Sequence, residues 1–461
     1  MASFFTKSVV ASLLLAAGTS QATAGTVLAP GYDIVFPSSK TSRNPLPYSV
    51  ANSPYFPGPN VNGVKNEVPD RCTVQQAAYV VRHGSRFPDT GSYNSWVALK
   101  DKVSTHVPVY ETAAIQIAVN GSDFEACDTL SFIKDWTPVL TNSSLQIAQE
   151  SMTGWKEASD LGYQLRARYP GFYEDGNPFY VWANQYANPI NKSRVVQTAQ
   201  AFLHGYLYEF VDTYGTVVSV NSTGSVNAIG NSLGPSDSCP KFGTTSSGGN
   251  NVTDFDATWT PKALKRINKL VRGNLTFTES DILFFPYLCG YETQITGRLS
   301  DWCSVFTEDE LRHYAYSQDL HYYYKIAEMT SAMGIFDNEK PLPLDRVPEN
   351  RLYNVAHFIT MRGTVAFETM NCQVGSGRRS GNETYVRILL NDAVYPVANC
   401  QRGPGKSCLL SDYLALIKKK SQAAGNWNTY CNVTQPGHPE KVGGASFFKD
   451  LSLDFLTLVK P

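Results

Sequence analysis

The run Ala77-Ala78-Tyr79-Val80-Val81-Arg82-His83-Gly84-Ser85-Arg86-Phe87-Pro88 decides how this chain is read. Ala77 to Val81 is continuously apolar, the pattern of a strand buried on both faces. The run then breaks into charge, which places Arg82, His83 and Arg86 at the carboxyl edge of a sheet, where open α/β folds bind ligands. Two guanidiniums flanking an imidazole form a fork for a phosphate dianion. The same cations disfavour protonated His83, leaving a neutral ring nitrogen free to attack phosphorus. Gly84 lets the backbone approach a ligand closely, and Pro88 fixes the exit turn. This chemistry requires no metal and no cofactor.

Taken singly, His83 reads as a satisfied core histidine, and Arg82 or Arg86 as a surface charge. Five fixed positions together read differently: at roughly one in twenty each, chance occurrence is about one in ten thousand.

Outward from this block, the chain has 461 residues, with 39 Lys+Arg against 40 Asp+Glu and 42% hydrophobic residues. Such a chain buries a large core, which excludes disorder and collagen-like repeats. The charge balance excludes a nucleic-acid binder that works by bulk electrostatics. Only 17% of residues are charged, so something else must keep the surface wet. Lys7 precedes the apolar run Ser8 to Ala17, and Ala22-Thr23-Ala24 offers a small-x-small cleavage site. Residues 1–24 therefore read as a signal peptide, and the protein as secreted into the extracellular, cell-wall or periplasmic space. No later stretch approaches about 18 uninterrupted apolar residues, so no membrane partner is expected. Asn-x-Ser/Thr occurs at Asn120, Asn142, Asn191, Asn221, Asn251, Asn274, Asn382 and Asn432, which suggests a sugar-coated surface. Nine cysteines in an oxidising compartment should mostly pair and leave at least one thiol over. Cys289/Cys303 and Cys400/Cys408 could close short loops, and no CxxC occurs.

Residues 25 to 71, rich in Pro, Asn and Gly, read as an irregular arm. Trp155, Ala158, Leu161, Gly162 and Leu165 recur at helical spacing, and Pro170-Gly171 ends that helix. Phe179 to Ala183 is a second strand, followed by a helix with Val195, Ala199, Phe202 and Tyr206 on one face. Residues 221 to 253 form a low-complexity loop, 255 to 336 are helical, and 364 to 397 form two strands with turns. Strands alternating with helices imply an α/β fold. The expected architecture is an open doubly wound sheet domain with helices on both faces, from residues 25–124 and 281–461, around a smaller, mainly helical insertion at 125–280.

Further segments carry a resemblance: Tyr55-Phe56-Pro57-Gly58-Pro59-Asn60, Arg194-Val195-Val196, Leu288-Cys289-Gly290-Tyr291-Glu292 and Asp319-Leu320-His321-Tyr322-Tyr323-Tyr324. Phe367 to Cys372, Asn391 to Pro396 and Gly425-Asn426-Trp427 extend it. With these, nearly the whole chain after the signal resembles the histidine acid phosphatase family, in its secreted fungal acid phosphatase and phytase branch. The resemblance implies His83 as the nucleophile that becomes a phosphohistidine. It implies Arg82, Arg86 and Arg194 as ligands of the phosphoryl oxygens. It also implies the disulfides Cys72–Cys372, Cys239–Cys431, Cys289–Cys303 and Cys400–Cys408, with Cys127 as the odd thiol.

One element of that family is absent. Its site is completed by a His-Asp pair, the His binding phosphate and the Asp protonating the leaving oxygen, because an alkoxide leaves poorly without a nearby acid. The histidines here are His83, His106, His204, His313, His321, His357 and His438, and none precedes Asp. Tyr324-Lys325-Ile326 runs straight into the helix Ala327 to Asp337, and an ungapped alignment puts Tyr322-Tyr323 where His-Asp should stand. This reads as an internal deletion. It predicts a depleted sheet, a pocket open on one side and no carboxylate beside His83. Glu328, Asp319 and Glu368 are the substitutes at hand, each more simply a helix-surface or framework residue. The expected function is a secreted acid phosphatase acting on small phosphate monoesters, inositol phosphates among them. The alternative is a catalytically impaired phosphate-binding secreted glycoprotein.

Overall fold

The computed structural model describes residues 44–104, 125–184, 193–242, 250–325, 332–375, 381–438, 442 and 445–461. The expected signal peptide, the sequons at Asn120 and Asn191, and Glu328 lie outside them. From the amino end come a 3-10 helix, Leu46–Asn52, strand β1 (Cys72–Val81) and helix α1 (Thr90–Ser104). The segment 125–280 holds β2 (Glu125–Ala126), α2 (Ser143–Gln146), α3 (Met152–Arg168), β3 (Phe179–Asn184), α4 (Arg194–Leu207), α5 (Val211–Tyr214), β4 (Gly215–Val220), α6 (Asn251–Asn268) and β5 (Val271–Arg272). Beyond it lie α7 (Glu279–Thr296), α8 (Glu308–Lys325), β6 (Thr364–Val374), β7 (Gly381–Leu390), β8 (Ala393–Val394), β9 (Cys408–Leu409) and β10 (Leu456–Val459).

The strands form an antiparallel sheet in the order β1-β6-β7-β8, with β9 also on β7. A separate sheet has the order β10-β4-β3, its β3–β4 pair parallel. Helices α1, α6, α7 and α8 share one large aromatic core, with Trp96, Phe255, Phe285, Trp302 and Tyr316 all 1% exposed or less. A second core joins α3 and α4 to the strands: Leu161, Leu165, Val196 and Leu203 pack with Val217 of β4 and with Val74, Ala77, Tyr79 and Val81 of β1. Where α3 crosses α4, a β-carbon on Gly162 would collide with the Phe202 carbonyl, and one on Gly205 with that of Ser159. Only glycine permits so close a crossing. The four disulfides implied by the resemblance all form, and Cys127 is the free thiol among the described cysteines.

The two-faced burial expected for Ala77–Val81 is not what the strand adopts. Val74, Ala77, Tyr79 and Val81 face the second core, while Gln75, Gln76, Ala78 and Val80 are exposed, Val80 by 44%. An irregularity between Val74 and Gln76 puts the two glutamines side by side in the open. The reason is what surrounds the strand: β6 pairs with one edge, and among the described residues nothing pairs with the other. Strand β3 likewise pairs, among the described residues, with β4 alone.

Candidate active site

Beyond Val81 the backbone still runs alongside the start of β6: Arg82 N–H donates to the Gly363 carbonyl at 2.8 Å, and Arg362 N–H to that of His83 at 2.8 Å. Residues 84–86 then turn onto the amino end of α3. Ser85 donates its N–H and hydroxyl to the buried Glu157 carboxylate at 2.8 and 2.9 Å, and its carbonyl accepts from Ser151 N–H at 2.9 Å. Gly84 N–H donates to Thr198 Oγ1 of α4 at 2.9 Å. A β-carbon on Gly84 would collide with Glu150 Oε1 and lie 2.7 Å from the Gly154 carbonyl. Glycine at 84 therefore serves the packing of α3 and the segment before it, where the sequence suggested room for a ligand.

His83 Nδ1 lies 2.9 Å from the Gly84 carbonyl. A carbonyl only accepts, so the bond assigns the proton to Nδ1 and leaves the Nε2 lone pair free. Burial holds the imidazole well below its ordinary pKa, and Arg82 and Arg194, then Arg86, push it further down. The neutral state expected from flanking cations is thus reached mainly by desolvation.

The three arginines act on this ring from two places, the segment that follows β1 and the start of α4. Arg82 follows β1 and is partly buried, fastened by Nη1 to the Ala51 and Ile359 carbonyls at 2.7 and 2.9 Å. Arg86 lies over the face of Tyr291 at 5.5 Å and 3.6 Å from Asp89, and its buried Nε has no partner. Arg194 opens α4 because Ser193 caps that helix, its hydroxyl accepting from Val195 N–H. Burial, then Arg86, brings the Arg194 guanidinium down to about 10, so it stays a cation below neutral pH. Three cations gathered at one place, with the exposed Asp89 beside Arg86, form a site that favours an anion.

Among the described groups that act on His83, none is a carboxylate. Asp319 is taken up by Arg351 and by Val355 N–H at 2.7 Å. Glu368 is held between Arg168 and Arg387. Partial burial pushes Asp89 up, but hydrogen bonds from Ser92 and the charge of Arg86 outweigh it and keep the group below its ordinary value. An ionised rim carboxylate makes a poor proton donor. Burial raises Glu150, behind Gly84, to about 8.

Two participants had no sequence signal, Glu157 and Thr198, whereas Tyr291 and Tyr322 stood in segments that carry the resemblance but had no role assigned. After burial, the strongest influence on Arg82 is the Tyr322 phenol. No group of three or more His, Cys, Asp or Glu suited to a metal occurs among the described residues. No described helix is long and apolar enough to cross a membrane. A cavity of about 580 Å³ opens elsewhere, beside Thr223, Asp237 and Pro436, and its lining carries no histidine, arginine or lysine.

This arrangement can be set beside known proteins. The family model described as histidine phosphatase superfamily (branch 2) matches residues 73–327. A repressible acid phosphatase of Saccharomyces cerevisiae is 28% identical, over 93% of this chain and 94% of its own length. The fold is that of the phytase from D. castellii, with a TM-score of 0.73 at 23% identity over 93% of this chain and 96% of that one. A Bifidobacterium longum multiple inositol polyphosphate phosphatase, solved in complex with phosphate, superposes at a TM-score of 0.55 with 10% identity, over 81% of this chain and 98% of that one.

Proposed function

Since the chain belongs to the histidine phosphatase superfamily, branch 2, we propose that it hydrolyses phosphate monoesters through a phosphohistidine at His83. The observation that carries this is a buried, neutral imidazole whose free Nε2 lies amid Arg82, Arg86 and Arg194. In the first step the Nε2 lone pair attacks phosphorus and the ester P–O bond breaks. Its electron pair leaves on the alcohol oxygen, which takes up a proton. The guanidiniums balance the negative charge of the non-bridging oxygens throughout. Water then attacks the same phosphorus, the P–N bond breaks, and its electrons return to Nε2 as inorganic phosphate departs.

Relatives named as acid phosphatase and phytase support small phosphate esters, inositol phosphates among them, as substrates. The apolar run at 8–17 and the Asn-x-Ser/Thr sites support a secreted glycoprotein. On this reading residues 125–280 are the inserted unit that supplies Arg194 to a pocket built from 25–124 and 281–461.

A second reading, a phosphate-binding protein impaired in turnover, is favoured because, among the described residues, Asp319 and Glu368 are bound to arginines and Asp89 is held ionised. One assay separates the two. An aryl phosphate, whose phenolate leaves without help, should turn over at least about a hundredfold faster than an alkyl ester such as inositol hexakisphosphate. Radioactive substrate quenched in alkali, where the P–N bond of a phosphohistidine survives, should label position 83 and nothing else, and His83→Ala should abolish both label and turnover. Phosphate binding with no turnover of either ester selects the second reading. Label on another residue overturns the first.

A further inference from the structure

We propose that Tyr322 is a phosphate ligand, its phenol donating a hydrogen bond to a non-bridging oxygen of the phosphoryl group that Arg82, Arg86 and Arg194 hold over His83. The assignment rests on the phosphoryl-binding reading above and adds a neutral donor to it.

The placement follows from how the helices seat Arg82. Both α7 and α8 pack on the 3-10 helix Leu46–Asn52, and the Ala51 carbonyl of that helix accepts from Arg82 Nη1 at 2.7 Å. Tyr291 of α7 and Tyr322 of α8 thus both belong to helices that pack on the segment holding Arg82. Tyr291 turns its ring face to Arg86 at 5.5 Å. Tyr322 lies within electrostatic reach of both Arg82 and Arg86.

The neighbours of Tyr322 on α8 are engaged elsewhere. Tyr314, two turns earlier, is bonded to Asn52. Tyr323 packs edge-on against Tyr353, ring centroids 5.3 Å apart, inside the large core. Tyr322 is only half-buried, and no hydrogen bond to its hydroxyl exists among the described residues. A phenol set against guanidiniums without an acceptor is a donor awaiting one. The buried, unpartnered Nε of Arg86 is a second such donor at the same place. Burial keeps the phenol above its ordinary pKa, so it stays protonated and brings no negative charge against the anion.

The test is calorimetric titration of the purified full chain with inorganic phosphate, alongside KM and kcat for an aryl phosphate. Tyr322→Phe removes one oxygen and keeps the ring, and an unchanged melting temperature checks its fold. It should weaken phosphate tenfold or more, the loss expected for a hydrogen bond to a charged acceptor, with KM rising in step. Tyr323→Phe should leave phosphate affinity unchanged. Tyr322→Phe binding phosphate as tightly as the parent, while Arg86→Gln does not, overturns the role of Tyr322 and leaves the phosphoryl reading intact. A parent chain that binds no phosphate overturns both.

Discussion

A β-carbon on Gly154 would collide with the Ser85 carbonyl and lie 2.7 Å from Ser85 N. Both neighbours are backbone of the segment that follows His83, so neither can swing aside. Gly154→Ala should therefore displace residues 84–86, costing about 1–3 kcal/mol of stability. It should also weaken phosphate binding more than that loss of stability explains. Chemical denaturation followed by phosphate titration of the folded fraction reads the two effects separately. At this scale the sequence was most legible where function is contiguous. Arg82, His83 and Arg86 stand within five positions, so their pattern is visible without a fold. Glu157 meets Ser85 across 72 residues, and Tyr322 meets Arg82 only because two helices share a seat on the 3-10 helix. No local pattern encodes either encounter.

Among the elements, local physics did much of the work. The strand at Phe179–Asn184 and the pair at 364–390 follow from apolar runs and turns. The helix around Leu161 ends at Arg168 before Pro170, as the breaker requires. Trp155 joined the apolar spacing yet is 36% exposed, at the margin of the buried stripe. Strand β1 marks where such reading stops. An apolar run reports what a strand can bury, whereas its neighbours decide what it does bury. The crossing of α3 over α4 was equally hidden, because Gly162 and Gly205 look like helix weaknesses until the other backbone lies against them. That crossing orients α4, and with it Arg194, toward a loop anchored on α3.

For the whole molecule, the buried acids set a pH profile. Burial raises Glu150 to about 8 and Glu292 to about 7. The Thr198 hydroxyl, with one hydrogen, lies 2.8 Å from both Glu150 Oε1 and the Arg194 carbonyl. A protonated Glu150 that donates to Thr198 satisfies all three groups. Between the ordinary glutamate value and about 8 the folded chain therefore binds more protons than the unfolded chain, so stability falls as pH rises through that window. Burial depresses His357 to about 4, and its effect is opposite: stability rises with pH until the unfolded imidazole is neutral. Above about pH 7 the unfolded His83 and His357 imidazoles are mostly neutral as well, and the acids dominate. Urea midpoints should therefore decline from pH 7 to 8, and Glu150→Gln should flatten the decline without changing the midpoint at pH 5. A midpoint that climbs over that interval would show Glu150 ionised within the fold.

The edge of β1 that no described strand pairs has a consequence for handling the protein. Cys72 to Val81 contains no lysine, arginine, aspartate, glutamate or proline, the residues that ordinarily discourage one such border from adhering to another. Its outward amide and carbonyl groups can zip onto a like copy. Concentrated preparations should scatter light increasingly with time and disperse on dilution, and a lysine installed by Gln76→Lys should keep them clear.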